Sequence, residues 1–362
     1  MKTIRVNLSE NSYNIYIDKI LVGRIGEILA TEKKPCKTLL ITDSNIDKVY
    51  GPIITESLSQ HGFCVRIVAL KPGEDQKTLE TASALYDACF DHKLDRSSLI
   101  IALGGGVVGD ISGFVAATFM RGIPFIQIPT TLLAQVDSSI GGKVAVNHPK
   151  GKNMIGSFYQ PKAVFIDTDT LSTLPATELV AGLMEVIKYG VIRDAALFEY
   201  IENALRDILQ LNHHALLKII ATSCQIKARV VEEDEKETHL RAILNYGHTI
   251  GHAIETLTDY KKYRHGEAVA MGMLYASRIA QEMGLTNDNT VFERQLSLVK
   301  RLGLPLYTGL KPGDIIKTLY SDKKVISGKL RFILPTKIGE VIISDQVTEE
   351  ILYRVLNTPL LR

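Results

Sequence analysis

Along the first half of the chain, short apolar runs alternate with stretches of helical period. KTLLITD (37–43), FCVRIVAL (63–70), SSLIIALGG (97–105) and FIQIP (125–129) read as strands, and helix-like segments reach Gln60 and span Leu79 to His92. The runs around Leu39, Val65 and Ile100 are almost continuously apolar, as expected of strands covered on both sides. This rhythm predicts a parallel sheet with helices on both faces. The opening MKTIRVNLSENSYNIYI alternates apolar and polar residues like a strand. From about Pro175 the pattern turns to long helices, broken at Gly182, Gly284 and Gly303. The expected division is therefore an α/β domain over 1–174 and a mainly helical domain over 175–362. One exception, KLRFILPTKIGEVIISD (329–345), reads as a hairpin expected at the periphery. The acidic VVEEDEKE (230–237) reads as a solvated helix end.

Composition narrows the class. A chain of 362 residues suggests about two domains. Hydrophobic residues make up 46% and charged residues 23%, which excludes a disordered chain or a fibre. Forty-two basic against 40 acidic residues give a net charge of +2, too balanced for a nucleic-acid footprint or an anionic membrane surface. No apolar run is long enough to span a bilayer. The amino terminus lacks the apolar core and cleavage site of a signal peptide. Cys36, Cys64, Cys89 and Cys224 are scattered without a CxxC pair, which points to a reducing, cytoplasmic setting.

After the run SSLIIAL comes GGGVVGD, where Gly104, Gly106 and Gly109 satisfy GxGxxG ahead of a helix-like segment. Glycines there let a backbone approach a pyrophosphate, whose charge meets amides at the helix start. A glycine turn that merely packs helix on strand is the competing explanation. The loop follows at least two strand and helix units, which departs from the usual dinucleotide order. Asp43 and Asn45, ending KTLLITD, stand where a carboxylate meets ribose hydroxyls, or where an Asx turn forms. KPGEDQK (71–77) and PTT (129–131) also follow strands and fall on the same sheet edge.

NYGHTIGHAIE puts His248 and His252 one helical turn apart on one face, and His265 follows in HGEAVAMGM. Glu185, in GLMEVIKYG, adds a carboxylate, with Lys188 one turn on. Two imidazoles and a carboxylate leave an open coordination position typical of catalytic zinc, and the spacing does not select which histidine is left out. Gly247, Gly251 and Gly266 beside these histidines indicate close approach of a ligand or of neighbouring backbone. Arg121, Lys143, Lys152 with Asn153, Lys188, Lys227 and Arg241 occupy non-amphipathic positions. Together they suit a substrate carrying phosphate and carboxylate groups.

The combination GGGVVGD, FMRG, PTTLLAQVDSSIGGK, KGKN, AGLMEVIKYG, LNYGHTIGHAIE and HGEAVAMGM resembles the 3-dehydroquinate synthase family across essentially the whole chain. The glycine loop is shared with iron-dependent alcohol and glycerol dehydrogenases, whereas the lysine series with NYGHTIGHAIE is far more specific. The resemblance implies a dehydroquinate synthase-like fold: an α/β N-terminal domain with a Rossmann-like parallel sheet, then a mainly α-helical C-terminal domain. It implies a shikimate-pathway lyase that converts 3-deoxy-D-arabino-heptulosonate 7-phosphate into 3-dehydroquinate and phosphate. NAD is used catalytically: the carbon-5 alcohol is oxidised, phosphate is eliminated, the ketone is reduced again, and the ring opens and recloses by an aldol step.

Carried over residue by residue, the resemblance assigns one divalent metal, zinc or cobalt, to Glu185, His248 and His265, leaving His252 as a catalytic, phosphate-contacting group. Lys143, Lys152, Asn153 and Lys188 correspond to the phosphate environment, and Arg121 to a residue reaching a neighbouring subunit's site in a homodimer. Lys227, Arg241 and Asn245 correspond to contacts with the substrate carboxylate and hydroxyls, with Asp137 and Glu237 also on the site. For NAD the carry-over marks Asp43, Glu74, Lys77, Gly105, Gly106, Val107, Val108, Gly109, Asp110, Thr130, Thr131, Lys143, Lys152, Thr170, Thr173 and Leu174. Nucleotide loop and metal ligands fall in different halves, so an interdomain cleft is expected. Three rivals remain: a sister cyclase acting on carboxylate-free sugar phosphates, a metal-dependent polyol dehydrogenase that accumulates NADH, and a non-catalytic nucleotide-binding module.

Overall fold

The computed structural model describes residues 1–286, 289–321 and 330–360. Among them, contacts divide the chain into two compact units, 1–179 with 211–236, and 180–210 with 237–362. The helix His213–Glu233 thus belongs with the α/β part, which a contiguous division at 174 does not anticipate. It packs on the first two strands, a long-range contact with no local signature in its sequence.

The first unit is built on nine strands: β1 Lys2–Val6, β2 Tyr13–Asp18, β3 Lys37–Asp43, β4 Cys64–Leu70, β5 Leu99–Gly104, β6 Phe125–Pro129, β7 Lys143–His148, β8 Gly151–Phe158 and β9 Ala163–Asp167. Seven form one sheet in the order β1-β2-β9-β6-β5-β3-β4, and β7 pairs β8 in a separate antiparallel hairpin. All sheet pairings are parallel except β1 with β2. The opening segment, expected as strand-like throughout, is in fact two strands, since the turn Ser9–Asn11 folds β1 back with Lys2 opposite Ile17.

Burial on both faces follows from alternation along the central strands. Leu39, Ile41, Ile100, Ala102 and Phe125 pack with Leu85 and Ile111 of the helices Leu79–Asp91 and Gly106–Thr118. Their neighbours Leu40, Leu99, Ile101, Leu103 and Ile126 pack with Ile25, Ile54 and Leu58 of the helices Ile25–Glu32 and Ser44–Gln60. The sheet reverses direction beside β3: the chain steps outward to β4, then returns on the other side through β5 and β6. Ligands of open α/β sheets bind outside the carboxyl ends of strands at such a point.

The second unit is mainly helical. Its helices include Ala195–Leu209, His248–Leu257, His265–Glu282, Thr290–Arg301, Pro312–Ser321 and Glu349–Asn357, and the unit boundary falls inside the helix Ala176–Ile192. The expected hairpin is present as Phe332–Lys337 and Glu340–Ser344, with its first residue, Lys329, outside the described residues. It is not peripheral: Phe332 and Leu334 are buried, and the first strand packs on the helix His265–Glu282. Among the described residues, no helix is long and apolar enough to cross a membrane.

Candidate active site

At the switch point of the first unit, β5 runs directly into the helix Gly106–Thr118 with Gly105 as its N-cap. The helical ladder begins with Gly109 N–H donating to the Gly105 carbonyl at 3.0 Å. The amides of Gly106, Val107 and Val108 therefore have no partner within the helix, which is what an anion needs. A Cβ on Gly105 would stand 3.2 Å from Thr131 Cγ2, and one on Gly106 3.1 Å from Ser138 Oγ. Glycine keeps this cradle open, so a dinucleotide pyrophosphate fits it. Gly109 serves packing instead, its Cβ position being 2.7 Å from Gln127 Oε1 of β6. Gly109 thus matches the packing explanation, while Gly105 and Gly106 leave the space that the other explanation requires.

Asp43 ends β3 at the same edge, where Oδ1 accepts the amides of Asn45 at 2.9 Å and Ile46 at 3.2 Å, capping the helix Ser44–Gln60. Thr130 follows β6, its hydroxyl buried with no hydrogen-bond partner among the described residues, and Thr131 Oγ1 accepts Ala134 N–H at 3.1 Å. Buried Lys77 bonds both the Asp110 carboxylate and Asn153 Oδ1. Burial pushes the Asp110 carboxyl up, against the lowering pull of Lys77. Asn147 knits this cluster. Its amide donates to the Lys77 carbonyl at 2.7 Å, its side chain donates to Glu74 Oε1 at 2.7 Å, and its Oδ1 accepts Asn153 N–H at 2.9 Å. Lys152 Nζ lies 3.7 Å from Glu74 Oε1. Sequence reasoning missed Asn147, whose only signal was its place just before KGKN.

Lys227 pairs with the Asp137 carboxylate and donates to its carbonyl at 2.7 Å. Asp137 sits in a π-helical turn, Ala134–Ser138, a distortion frequent at functional sites. Lys143 starts the hairpin strand β7 and is exposed. Arg121 is exposed in a turn where Met120, Arg121 and Gly122 have φ of 49°, 66° and 118°. Thr173 Oγ1 lies 3.1 Å from Tyr50 of the helix after Asp43, and half-buried Leu174 follows it. Thr170 is not at an open edge: it is 1% exposed, donates to the Asp167 carbonyl at 2.7 Å and accepts from Gln135 Nε2 at 3.1 Å. The short helical turn Thr168–Thr173 rotates it inward.

In the second unit Glu185 and Lys188 lie one turn apart on the helix Ala176–Ile192, at 0% and 1% exposure. His248 and His265 each open a helix. These two helices meet so closely that a Cβ on Gly272 would be 1.9 Å from the Gly247 carbonyl. A Cβ on Gly266 would be 2.1 Å from the Ala181 carbonyl, so the glycines beside the histidines admit neighbouring backbone.

Glu185 Oε1 lies 3.7 Å from His248 Nε2 and 3.8 Å from His265 Nε2, while Oε2 bonds Lys188 Nζ. Oε1 is buried and has no hydrogen-bond partner among the described residues. The other ring nitrogens are held: His248 Nδ1 is 3.1 Å from the Tyr246 carbonyl, and His265 Nδ1 is 3.3 Å from both Glu255 oxygens. A buried carboxylate oxygen facing two oriented imidazoles suits a divalent metal, and this N₂O donor set accepts zinc or cobalt. A second grouping of convergent donors, His252, Glu255 and His265, shares one imidazole with the first. Burial pulls the His265 pKa down, but the Glu255 hydrogen bond and the charges of Glu255 and Glu185 outweigh it and leave it raised. His252 stands edge-on to His248 with ring centroids 5.3 Å apart. Arg241 is 1% exposed, and Asn245 Nδ2 donates to Glu237 Oε1 at 2.9 Å.

A doubly covered parallel sheet with a glycine-led helix, followed by a mainly helical unit, is the fold shared by the sugar-phosphate cyclases and the iron-containing alcohol dehydrogenases. Two solved cyclases share the architecture. A 2-deoxy-scyllo-inosose synthase complexed with carbaglucose-6-phosphate, NAD+ and Co2+ superposes with a TM-score of 0.89 at 30% identity, covering 99% of this chain and 100% of that one. A 2-epi-5-epi-valiolone synthase from Streptomyces hygroscopicus subsp. jinggangensis 5008, with NAD+ and Zn2+ bound, gives 0.88 at 27% identity, covering 97% of each chain. The family models described as 3-dehydroquinate synthase N-terminal and C-terminal match residues 67–181 and 182–325. A 3-dehydroquinate synthase from Desulforamulus reducens is 55% identical over 359 residues, 99% of this chain and 100% of the relative. The chain belongs to the 3-dehydroquinate synthase family.

Proposed function

We propose that the chain converts 3-deoxy-D-arabino-heptulosonate 7-phosphate into 3-dehydroquinate and inorganic phosphate, using NAD catalytically and one divalent metal. The observation that carries this reading is the buried Glu185 oxygen facing two imidazole Nε2 atoms, in a chain that matches a synthase of this name end to end. NAD, when bound, accepts and returns a hydride at the substrate alcohol, and the metal polarises the hydroxyls it binds. Atoms balance without water, because the phosphate leaves with the proton lost from the neighbouring carbon.

Within this reading, Glu185, His248 and His265 hold the metal. The open amides at Gly106 to Val108, with Asp43, Glu74, Lys77, Asp110, Thr130 and Thr131, take the dinucleotide. Lys143, Lys152, Asn153 and Lys188 hold the phosphate, whose charge rises as it leaves. His252 moves a proton at a ring nitrogen. Lys227, Arg241 and Asn245 bind the carboxylate and hydroxyl groups, with Asp137 and Glu237 as their hydrogen-bonding neighbours. The family resemblance gives Lys227 and Arg241 the substrate carboxylate, which favours a carboxylate-bearing sugar phosphate over the carboxylate-free substrates of sister cyclases. The same reading makes the chain a homodimer, with exposed Arg121 reaching the partner's site, and sedimentation tests that. Phosphate release should be fast with the heptulosonate phosphate and negligible with glucose 6-phosphate. The reverse preference would move the chain to the sister cyclases.

A further inference from the structure

Both imidazoles of the triad present Nε2 to Glu185, and something must hold the rings that way. For His248 a backbone carbonyl does it, at 3.1 Å from Nδ1. For His265 the holder is a side chain: both Glu255 oxygens lie 3.3 Å from Nδ1. Glu255 is 7% exposed and lies on the helix His248–Leu257, two turns beyond His248. One helix therefore carries a candidate ligand at its start and the carboxylate that orients the other ligand near its end. We propose that Glu255 is a positioning residue of the metal site, accepting the Nδ1 proton of His265 so that Nε2 carries the lone pair turned toward Glu185.

The inference rests on the functional reading only in taking Glu185, His248 and His265 as the metal ligands. A buried carboxylate facing a ligand imidazole fixes the tautomer and raises the basicity of the opposite nitrogen, and losing such a partner typically costs ~10–100-fold in metal affinity. The rival arrangement makes Glu255 itself a ligand with His252 and His265, the second convergent grouping. The two differ in what Glu185 has to do. Its Oε1 is buried without a hydrogen-bond partner among the described residues, whereas both Glu255 oxygens already face the His265 ring.

The test titrates metal-free protein with zinc and with cobalt, by competition with a chromophoric chelator, and records the cobalt visible spectrum. Wild type, Glu255→Gln, Glu255→Ala, Glu185→Ala, His248→Ala and His252→Ala are compared, and thermal unfolding of each metal-free protein is followed. The expected result is metal affinity lowered about tenfold in Glu255→Gln and up to ~100-fold in Glu255→Ala, with an altered cobalt spectrum and an unfolding temperature in Glu255→Gln near wild type. Glu185→Ala and His248→Ala should lose far more. Wild-type affinity and spectrum in both Glu255 variants would overturn the inference. So would loss in Glu255→Gln as complete as in His252→Ala while His248→Ala keeps its metal, which would make Glu255 a ligand. These titrations score Glu255 whatever the protein turns over, while phosphate release by wild type scores the functional reading separately.

Discussion

In the first unit the charged candidates are bonded to one another: Lys77 to Asp110 and Asn153, Lys227 to Asp137, and Lys152 beside Glu74. In the second, three donor atoms of Glu185, His248 and His265 face each other, and the remaining nitrogen of each ring is anchored from outside the group. The difference separates two ways of preparing a site. Oriented donors already converge on the point a metal would occupy. Paired lysines must exchange an internal carboxylate or amide for an incoming anion, so what they gain on binding is a difference between two good partners. Ligand binding in the first unit should therefore be weaker and more dependent on which anion arrives.

The largest effect is expected at the convergent donors of the second unit. His265→Ala should lower metal affinity by about 1,000-fold or more, beyond the range typical of outer partners, as read by bound zinc after dialysis. Full occupancy would remove His265 from the ligand set. Next comes Lys77→Met, which strands the Asp110 carboxyl in a buried setting and should cost about 3 kcal/mol at neutral pH. Burial already holds that carboxyl above its unfolded pKa. The folded variant keeps the proton to higher pH, so the deficit should be smallest in acid and grow as pH rises through the raised value. Denaturant melts across pH check this, and a deficit that shrinks with rising pH contradicts it.

Arg241→Ala should lower kcat/KM by about 30-fold, mostly through KM, if the guanidinium meets a substrate carboxylate. Unchanged kinetics would reject that role. The smallest effect belongs to Thr170→Val. Thr170 bonds Gln135 and the Asp167 carbonyl, so the variant should lose about 1 kcal/mol of stability and leave NAD affinity unchanged. A tenfold weaker Kd for NAD would return Thr170 to the nucleotide site.

Much of this was legible in the sequence, for physical reasons that differ by region. The central strands announced themselves because both faces are buried, leaving Leu39–Ile41 and Leu99–Leu103 without polar interruption. Glu185 and the three histidines stood out because metal chemistry restricts donors to a few residue types, but the spacing of His248 and His252 left open which histidine is excluded, and only the family resemblance chose among them. The hairpin Lys143–Phe158 was not, because its second strand is largely exposed and lacks the continuous apolar run that marks a covered strand. Nor was the place of the helix His213–Glu233, since amphipathic period shows that a helix packs but not on what. Glu255 stood inside a quoted motif, yet its role depends on bringing the start of one helix beside the end of another, which no spacing reports. The burial of Thr170 was hidden for the converse reason: a family position carries no information about which way a short helical turn faces.

The proposed reaction has no net redox, and one experiment reads that directly. Metal-loaded protein is given excess 3-deoxy-D-arabino-heptulosonate 7-phosphate and substoichiometric NAD, while phosphate and NADH absorbance are recorded together. Many phosphates released per NAD, with no lasting rise in NADH, is the predicted result. NADH accumulating in step with substrate consumed, or no phosphate at all, would contradict it.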